Sequence, residues 1–218
     1  MDVLRKPSLV TPGNCSNPDA TASAPQPDGS QLGPSSITIV STSLRLISRS
    51  RTLGRQLSEL LTAFGETCRF IDLREMTLPL SDGESSFSDP AVTRVQEALS
   101  VADGIVIATP IHNYDVGAVA KNFLELCGSG LREKAVGLLA AAGGPRAYMA
   151  PLGFLNSLML DYRAQVHPSF VYAPESSFEG AIVRDSAVLK RLDEFARDFS
   201  SMVAGRRYAA KFRSEMTR

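Results

Sequence analysis

The stretch that decides the fold is Ser36-Ile-Thr-Ile-Val-Ser-Thr-Ser-Leu-Arg-Leu-Ile-Ser-Arg-Ser-Arg-Thr-Leu53. Its β-branched run, Ile37 to Val40, reads as a strand that ends in a loop crowded with hydroxyl and guanidinium groups. The loop enters a helical pattern, expected over about 51–64, with Leu53, Leu57, Leu60, Leu61 and Phe64 on one face and Gly65 as the stop. Strand, polar loop and helix in that order present free backbone N–H groups and a positive helix end to an anion. Ser41, Thr42, Ser43, Ser48 and Ser50 add hydroxyl donors, and Arg45, Arg49 and Arg51 add charge. A phosphate held by several neutral donors and one or two arginines is the natural ligand of such a set.

Outward from this stretch the alternation continues. Thr67–Leu73 reads as a second strand, and Asp89-Pro90 sets a helix start with Asp89 as cap and Pro90 in the first turn. Gly104-Ile-Val-Ile-Ala108 is an uninterrupted apolar run, suited to a central parallel strand covered on both faces. A third helix is expected at about Val116–Cys127, a fourth strand at Ala135–Ala142, and a fourth helix at about 146–162, loosened by Pro151 and Gly153. A fifth strand at Gln165–Ala173 and a last helix at Ser186–Ala204 complete the series. Five strands alternating with five helices predict one α/β domain with a doubly wound parallel sheet, order 2-1-3-4-5.

Ligands bind such sheets at the carboxyl ends of the strands. Three strand ends are unusual: Ser41–Ser50, Thr109–Asp115 and Gly143–Arg146. The second, Thr-Pro-Ile-His-Asn-Tyr-Asp, mixes a rigid proline with amide, imidazole and aromatic groups. The third opens with Gly143-Gly144, which lets a flat ligand approach the backbone. An anion site beside a flat platform describes a phosphorylated aromatic cofactor.

Composition narrows the field further. The chain's 23 basic residues balance its 23 acidic ones and Trp is absent, which argues against nucleic acid or an anionic membrane. Cys15, Cys68 and Cys127 show no disulfide or metal-ligand spacing, and two histidines exclude a His-rich metal site. No apolar run approaches the roughly 20 residues that span a bilayer, and no secretory h-region is seen, so the expected location is cytoplasmic. Residues 1–34, rich in Pro, Gly and Ser, read as a disordered tail, 35–205 as the domain, and 206–218 as a basic C-terminal tail. Neither a Gly-x-Gly-x-x-Gly nor a Gly-x-x-x-x-Gly-Lys-Ser/Thr motif occurs, and no Gly-x-Ser-x-Gly elbow marks a hydrolase.

The residues resemble the flavodoxin-like NADPH-dependent FMN reductases, a family that includes sulfonate-utilisation flavin reductases and related quinone, chromate and azo reductases. The family's phosphate loop, Gly-Ser-x-Arg-x-x-Ser-x-Ser, is matched by Thr42-Ser-Leu-Arg-Leu-Ile-Ser-Arg-Ser50. The resemblance implies that Ser43, Arg45, Ser48 and Ser50, with Arg49 as an addition, hold the FMN phosphate. Its second motif appears as Thr109-Pro110-Ile111-His112-Asn113, followed by Gly117-Ala-Val-Ala-Lys121-Asn122. That loop would flank the flavin ring and ribityl chain, with its helix at a dimer interface, and Gly143 and Gly144 would lie beside the ring's pyrimidine side. Three positions depart from the pattern: Thr42 replaces a glycine, His112 stands where Tyr is frequent, and Asn113–Gly117 is one residue short.

The function this implies is an NAD(P)H-dependent FMN oxidoreductase, with NADPH as donor, hydride passing from nicotinamide to flavin, and ping-pong turnover. The expected partners are NAD(P)H and a flavin or small acceptor, in a homodimer or homotetramer. The alternatives are a reductase that keeps FMN and reduces quinones, azo dyes or metal oxyanions, a flavodoxin-type electron carrier, and a binding protein that has lost flavin. Neutral charge and Arg45 argue against the carrier. Arg49, Arg51 and Arg55 read as a solvated helix face, with recognition of the NADPH 2′-phosphate as the alternative. His112 reads as a packing residue rather than a proton donor, His167 as structural, Cys127 as core or interface, and Tyr114 as a stacking candidate. No acid, base, nucleophile or metal ligand is nominated.

Overall fold

The computed structural model describes residues 33–216, so most of the expected N-terminal tail, with Cys15, lies outside the described residues. The elements are β1 (Ser36–Ser41), α1 (Arg49–Ala63), β2 (Thr67–Asp72), α2 (Pro90–Ser100), β3 (Gly104–His112), β4 (Asp115–Val116) and α3 (Ala118–Cys127). They continue as β5 (Ala135–Ala142), α4 (Leu152–Leu160), β6 (Gln165–Val166), β7 (Val171–Pro174), β8 (Phe178–Glu179), β9 (Ile182–Val183) and α5 (Ser186–Met216). The main sheet runs β2-β1-β3-β5, and β6 and β7 both pair with β5. All these pairings are parallel; in this sheet β4 alone pairs antiparallel, against β3. The doubly wound α/β sheet in 2-1-3-4-5 order is therefore present, with its fifth strand in two pieces.

That break is a correction with a local cause. His167 still donates its N–H to Val136 O at 2.8 Å, but Pro168 has no N–H to give, and the ladder resumes only at Val171. β6 thus pairs with the lower half of β5 and β7 with the upper half.

The alternation of side chains sorts the helices onto two faces. Ile37, Ile39, Val106 and Ala108 face α1 and α5 through Leu53, Leu57, Leu61, Leu192, Phe195 and Phe199. Val40, Ile105, Ile107, Val136 and Leu138 face α2, α3 and α4. Ile105, Val106 and Ile107 are all fully buried, so the apolar run in β3 anchors both layers, at about 1.5–3 kcal/mol per side chain. α5 sits very close to the sheet because Gly137 and Gly104 are bare. A Cβ at Gly137 would come within 2.5 Å of Phe195 Cζ, and one at Gly104 within 2.5 Å of Val203 Cγ2.

Four other boundaries differ from expectation. α5 continues beyond Ala204 to Met216, because the later residues are good helix formers and Arg207 ties its turn to Gly33 O (2.7 Å) and to Asp103 (3.3 Å). The fourth helix is shorter, since Pro145–Ala147 forms a separate 3-10 turn and Pro151 stands at the N-cap of α4. β3 runs on to His112, because Thr109 and Pro110 keep pairing with Ala140 and Ala141. The β8–β9 hairpin follows β7 where only an irregular loop was expected. α2 begins as expected, with Asp89 Oδ1 accepting the Ala91 N–H at 2.7 Å. No described helix is long and apolar enough to cross a membrane.

Candidate functional site

The parallel register aligns the carboxyl ends of the strands along one edge, with Ser41 beside Ala108 and Pro110 beside Ala141. Loops leave this edge together and enclose a cavity of about 560 Å³. Ten of the expected site residues line it: Ser43, Arg45, Ser48, Arg49 and Ser50 from the first loop, Pro110, Ile111, His112 and Asn113 from the second, and Gly143 from the third. Thr109 and Gly144 do not. Thr109 is fully buried beneath the wall, its hydroxyl donating to Pro110 O at 3.2 Å. Gly144 lines an adjoining recess of about 450 Å³ with Tyr114, Arg146 and Ala147.

The first loop starts as an extension of β1. Thr42 donates its N–H to Ala108 O at 2.9 Å and its hydroxyl to the same oxygen at 3.3 Å, so a threonine serves where the family pattern has glycine. Ser48 caps α1: its Oγ accepts the Arg51 N–H at 3.2 Å and lies 3.1 Å from Ser50 Oγ. The N–H groups of Arg49 and Ser50 precede the first intrahelical bond, which runs from Thr52 N to Ser48 O. The first turn carries no acidic side chain, leaving the positive helix end unneutralised by its own sequence.

Behind the loop, Arg51 acts as a clamp. Its Nη1 donates to Arg45 O (2.7 Å) and Leu46 O (3.2 Å), and its Nη2 donates to Ser43 O (2.6 Å) and Asp72 Oδ1 (3.1 Å). Its Nε lies 2.7 Å from Asp72 Oδ2, an ion contact without hydrogen-bond alignment. Arg51 lines an adjoining groove and is not among the residues lining the cavity, so its charge is spent on three loop carbonyls and Asp72. Arg55 lies 3.8 Å over the Phe70 ring. Arg49 does line the cavity: its Nη2 pairs with Glu175, while its buried Nε has no hydrogen-bond partner.

The second loop explains the missing residue. His112 pairs with Asp115 and Ile111 with Val116, so the chain reverses through Asn113 and Tyr114 alone. Both take positive φ, 51° and 61°, the signature of a type I′ hairpin turn. Asn accepts that conformation readily; for Tyr114 it costs about 1–2 kcal/mol, strain stored at the mouth of the site. Gly117 donates its N–H to Pro110 O at 2.9 Å and caps α3. Asn122 is not a site residue: its Nδ2 donates to Pro79 O and its Oδ1 accepts from Ser81 N, both at 2.8 Å, stapling the loop after β2.

The third loop is kept open by its glycines. A Cβ at Gly143 or Gly144 would meet no atom within 4 Å. The buried Tyr172 hydroxyl donates to Gly144 O, and burial raises its pKa above the ordinary phenol value. Sequence reasoning missed Tyr172, Arg51's clamp on Asp72, and Glu175. Only Glu175 had a readable signal, since it immediately follows a strand that ends at this edge. Cys127 is fully buried, and burial pushes its thiol up to about 12, so it is core. His167 is structural, with Nδ1 2.8 Å from Ser169 O and its ring edge-on to Phe195.

A sequence profile of the NADPH-dependent FMN reductase family matches residues 35–177, the span that carries all three loops. The chain belongs to this family. The reductase is 31% identical over 132 residues to an NAD(P)H-dependent FAD/FMN reductase of Geobacillus thermodenitrificans, covering 59% of this chain and 71% of that relative. It is 33% identical over 102 residues to an NADPH azoreductase of Bacillus sp. strain OY1-2, covering 46% of this chain and 57% of that one. Among solved structures, the apo form of an NADH:FMN oxidoreductase superposes with a TM-score of 0.67 at 22% identity, covering 77% of this chain and 89% of its own, which supports the flavodoxin-like fold. The protein is thus an NAD(P)H-dependent FMN oxidoreductase, with FMN and NAD(P)H as its cofactors.

The residues present fit FMN. Three serine hydroxyls, two arginines and the first residues of α1, whose N–H groups have no intrahelical partner, line the cavity, and bare Gly143 backbone lines it too. Arg49 Nε is a buried donor still without an acceptor.

Proposed function

We propose that Ser43, Arg45, Ser48, Arg49 and Ser50 hold the FMN phosphate, and that Pro110–Asn113 and Gly143–Gly144 border the ring. The donor is NADPH or NADH, and turnover is ping-pong, with free flavin or a small acceptor as second substrate. The observation that carries this reading is the convergence of the three loops on one cavity. The chemistry that FMN supplies when bound is acceptance of a hydride from the nicotinamide and its delivery to an acceptor.

The chain's own groups supply position and charge. The hydroxyls of Ser43, Ser48 and Ser50 and the N–H groups of Arg49 and Ser50 offer neutral donors, and Arg45 and Arg49 offer charge. Arg51 holds the loop in the shape that aims those donors. Pro110 and the hairpin turn make a stiff wall, and Gly143 leaves room for a planar ring. Thr109 supports this wall from behind, and Tyr172 holds the Gly144 carbonyl in place.

We read the reductase as cytoplasmic and homo-oligomeric. Tyr114, Tyr148, Met149 and Leu152 are large apolar residues left exposed in or just after the second and third loops, as an assembly face requires. The test is titration of the protein into FMN and into riboflavin, followed by flavin fluorescence. The phosphate-loop reading predicts tight quenching of FMN and weak quenching of riboflavin; equal affinities would refute it. FMN that stays bound through gel filtration identifies the form that retains its flavin and reduces quinones or azo compounds.

A further inference from the structure

The geometry points to Glu175 as the residue that sets how tightly this reductase holds FMN: by engaging Arg49 it competes with the flavin phosphate for that cation and keeps the flavin exchangeable. The inference rests on the reading of residues 43–50 as the phosphate loop.

Glu175 is the single acidic side chain among the residues lining the cavity, set among Ser43, Arg45, Ser48, Arg49 and Ser50. A carboxylate in an anion site repels its ligand unless it is spoken for, and here it is spoken for by Arg49. The pair joins two separate elements, the first residue of α1 and the 3-10 turn that follows β7. That turn is held in place rather than free: Ser177 is buried, its hydroxyl donates to Asp185 Oδ2 at 3.0 Å, and its carbonyl accepts the Arg184 N–H at 2.9 Å.

The charges at the loop sharpen the point. Arg51 lines the adjoining groove and not the cavity, and it is paired with Asp72, so it offers an incoming phosphate little. Arg45 and Arg49 are the cations lining the cavity, and Glu175 cancels one of them. Arg49 is already poised, its Nε buried without a partner, yet its Nη2 is taken. A phosphate entering the loop must draw Arg49 away from Glu175 or bind beside the carboxylate, and either route weakens FMN. Riboflavin has no phosphate and is indifferent to the exchange.

The experiment uses the full chain and compares Glu175→Gln, Glu175→Asp, Arg49→Gln, and Glu175→Gln combined with Arg49→Gln, by fluorescence titration with FMN and with riboflavin at two salt concentrations. Glu175→Gln should bind FMN about five- to tenfold more tightly, because Arg49 is released to the phosphate as a full, screened unit charge, with riboflavin unchanged. The gain should shrink at the higher salt, vanish when Arg49 is also replaced, and be absent from Glu175→Asp, which keeps the charge. Glu175→Gln should also carry more FMN through gel filtration than wild type. Unchanged or weaker FMN binding by Glu175→Gln, or an equal gain for riboflavin, would overturn the inference while leaving the phosphate loop intact. Failure of the wild-type chain to bind FMN would overturn both, and is seen before any variant is made.

Discussion

Replacing Arg51 by methionine should damage stability and flavin binding together. The guanidinium serves three loop carbonyls and one carboxylate from a side chain only 11% exposed, and the side chain of Asp72 is 2% exposed. Methionine fills much of the space but leaves Asp72 only the Arg74 N–H at 3.1 Å and the Arg74 guanidinium at 3.8 Å, so the loss should reach the lower end of the about 3–5 kcal/mol that breaking a buried ion pair costs. Against a typical domain stability of about 5–15 kcal/mol the variant still folds, but with a large part of its margin gone. Adding Asp72→Asn to Arg51→Met should recover part of the loss by removing a buried charge that has lost its nearest cation. Arg55→Met, one turn further along α1, is the control, since its contact with the Phe70 face contributes only about 0.5–1 kcal/mol. The assay is urea unfolding of flavin-free protein followed by circular dichroism, with FMN titration of each variant below its transition. Freed of Arg51, the Ser43, Arg45 and Leu46 carbonyls can turn back toward the cavity, so FMN affinity should fall by about an order of magnitude, or roughly 1.4 kcal/mol. A loss below about 1 kcal/mol with wild-type FMN affinity would refute the clamp.

Three further outcomes follow from the same geometry. Gly143→Val should leave urea stability within about 0.5 kcal/mol, because its Cβ meets nothing within 4 Å, yet should bind FMN far more weakly; unchanged affinity would remove Gly143 from the flavin platform. Ser48→Ala removes the cap of α1 and one anion donor, so it should cost about 1 kcal/mol in urea and weaken FMN more than riboflavin; equal weakening of both flavins would make it a cap alone. With Cys15 and Cys68 replaced by serine, Cys127 should resist thiol reagents between about pH 7 and 9, because a thiol raised to about 12 holds almost no thiolate there. Its labelling should track unfolding in urea, and rapid labelling of the native chain would contradict its place in the core.

The sheet was legible because each strand carries its own statement of burial: Gly104–Ala108 cannot alternate, so it must be covered on both sides, and the helices around it show one apolar stripe each. The cavity was legible because its linings are local, strand ends whose polar and glycine content has no use in a core. What stayed hidden is what depends on distant pairing. Arg51 reads as one more arginine on a helix face until β2 brings Asp72 behind it. Glu175 meets Arg49 across 126 positions, a contact no spacing rule expresses. The fifth strand's break at Pro168 and the two-residue turn at Asn113-Tyr114 were written in the sequence, but their outcome depended on how many ladder bonds β5 and β3 could still make. α5's extension rests on Arg207 reaching Gly33 and Asp103, again a long-range tie.

Hydride transfer at this cavity is tested most directly by stopped-flow absorbance of the FMN-loaded protein mixed anaerobically with NADPH and, separately, with NADH. The flavin's visible band should bleach rapidly with at least one donor, and more slowly at limiting FMN in Arg51→Met, whose flavin is less fully bound. FMN that binds but is bleached by neither donor would contradict hydride transfer at this cavity.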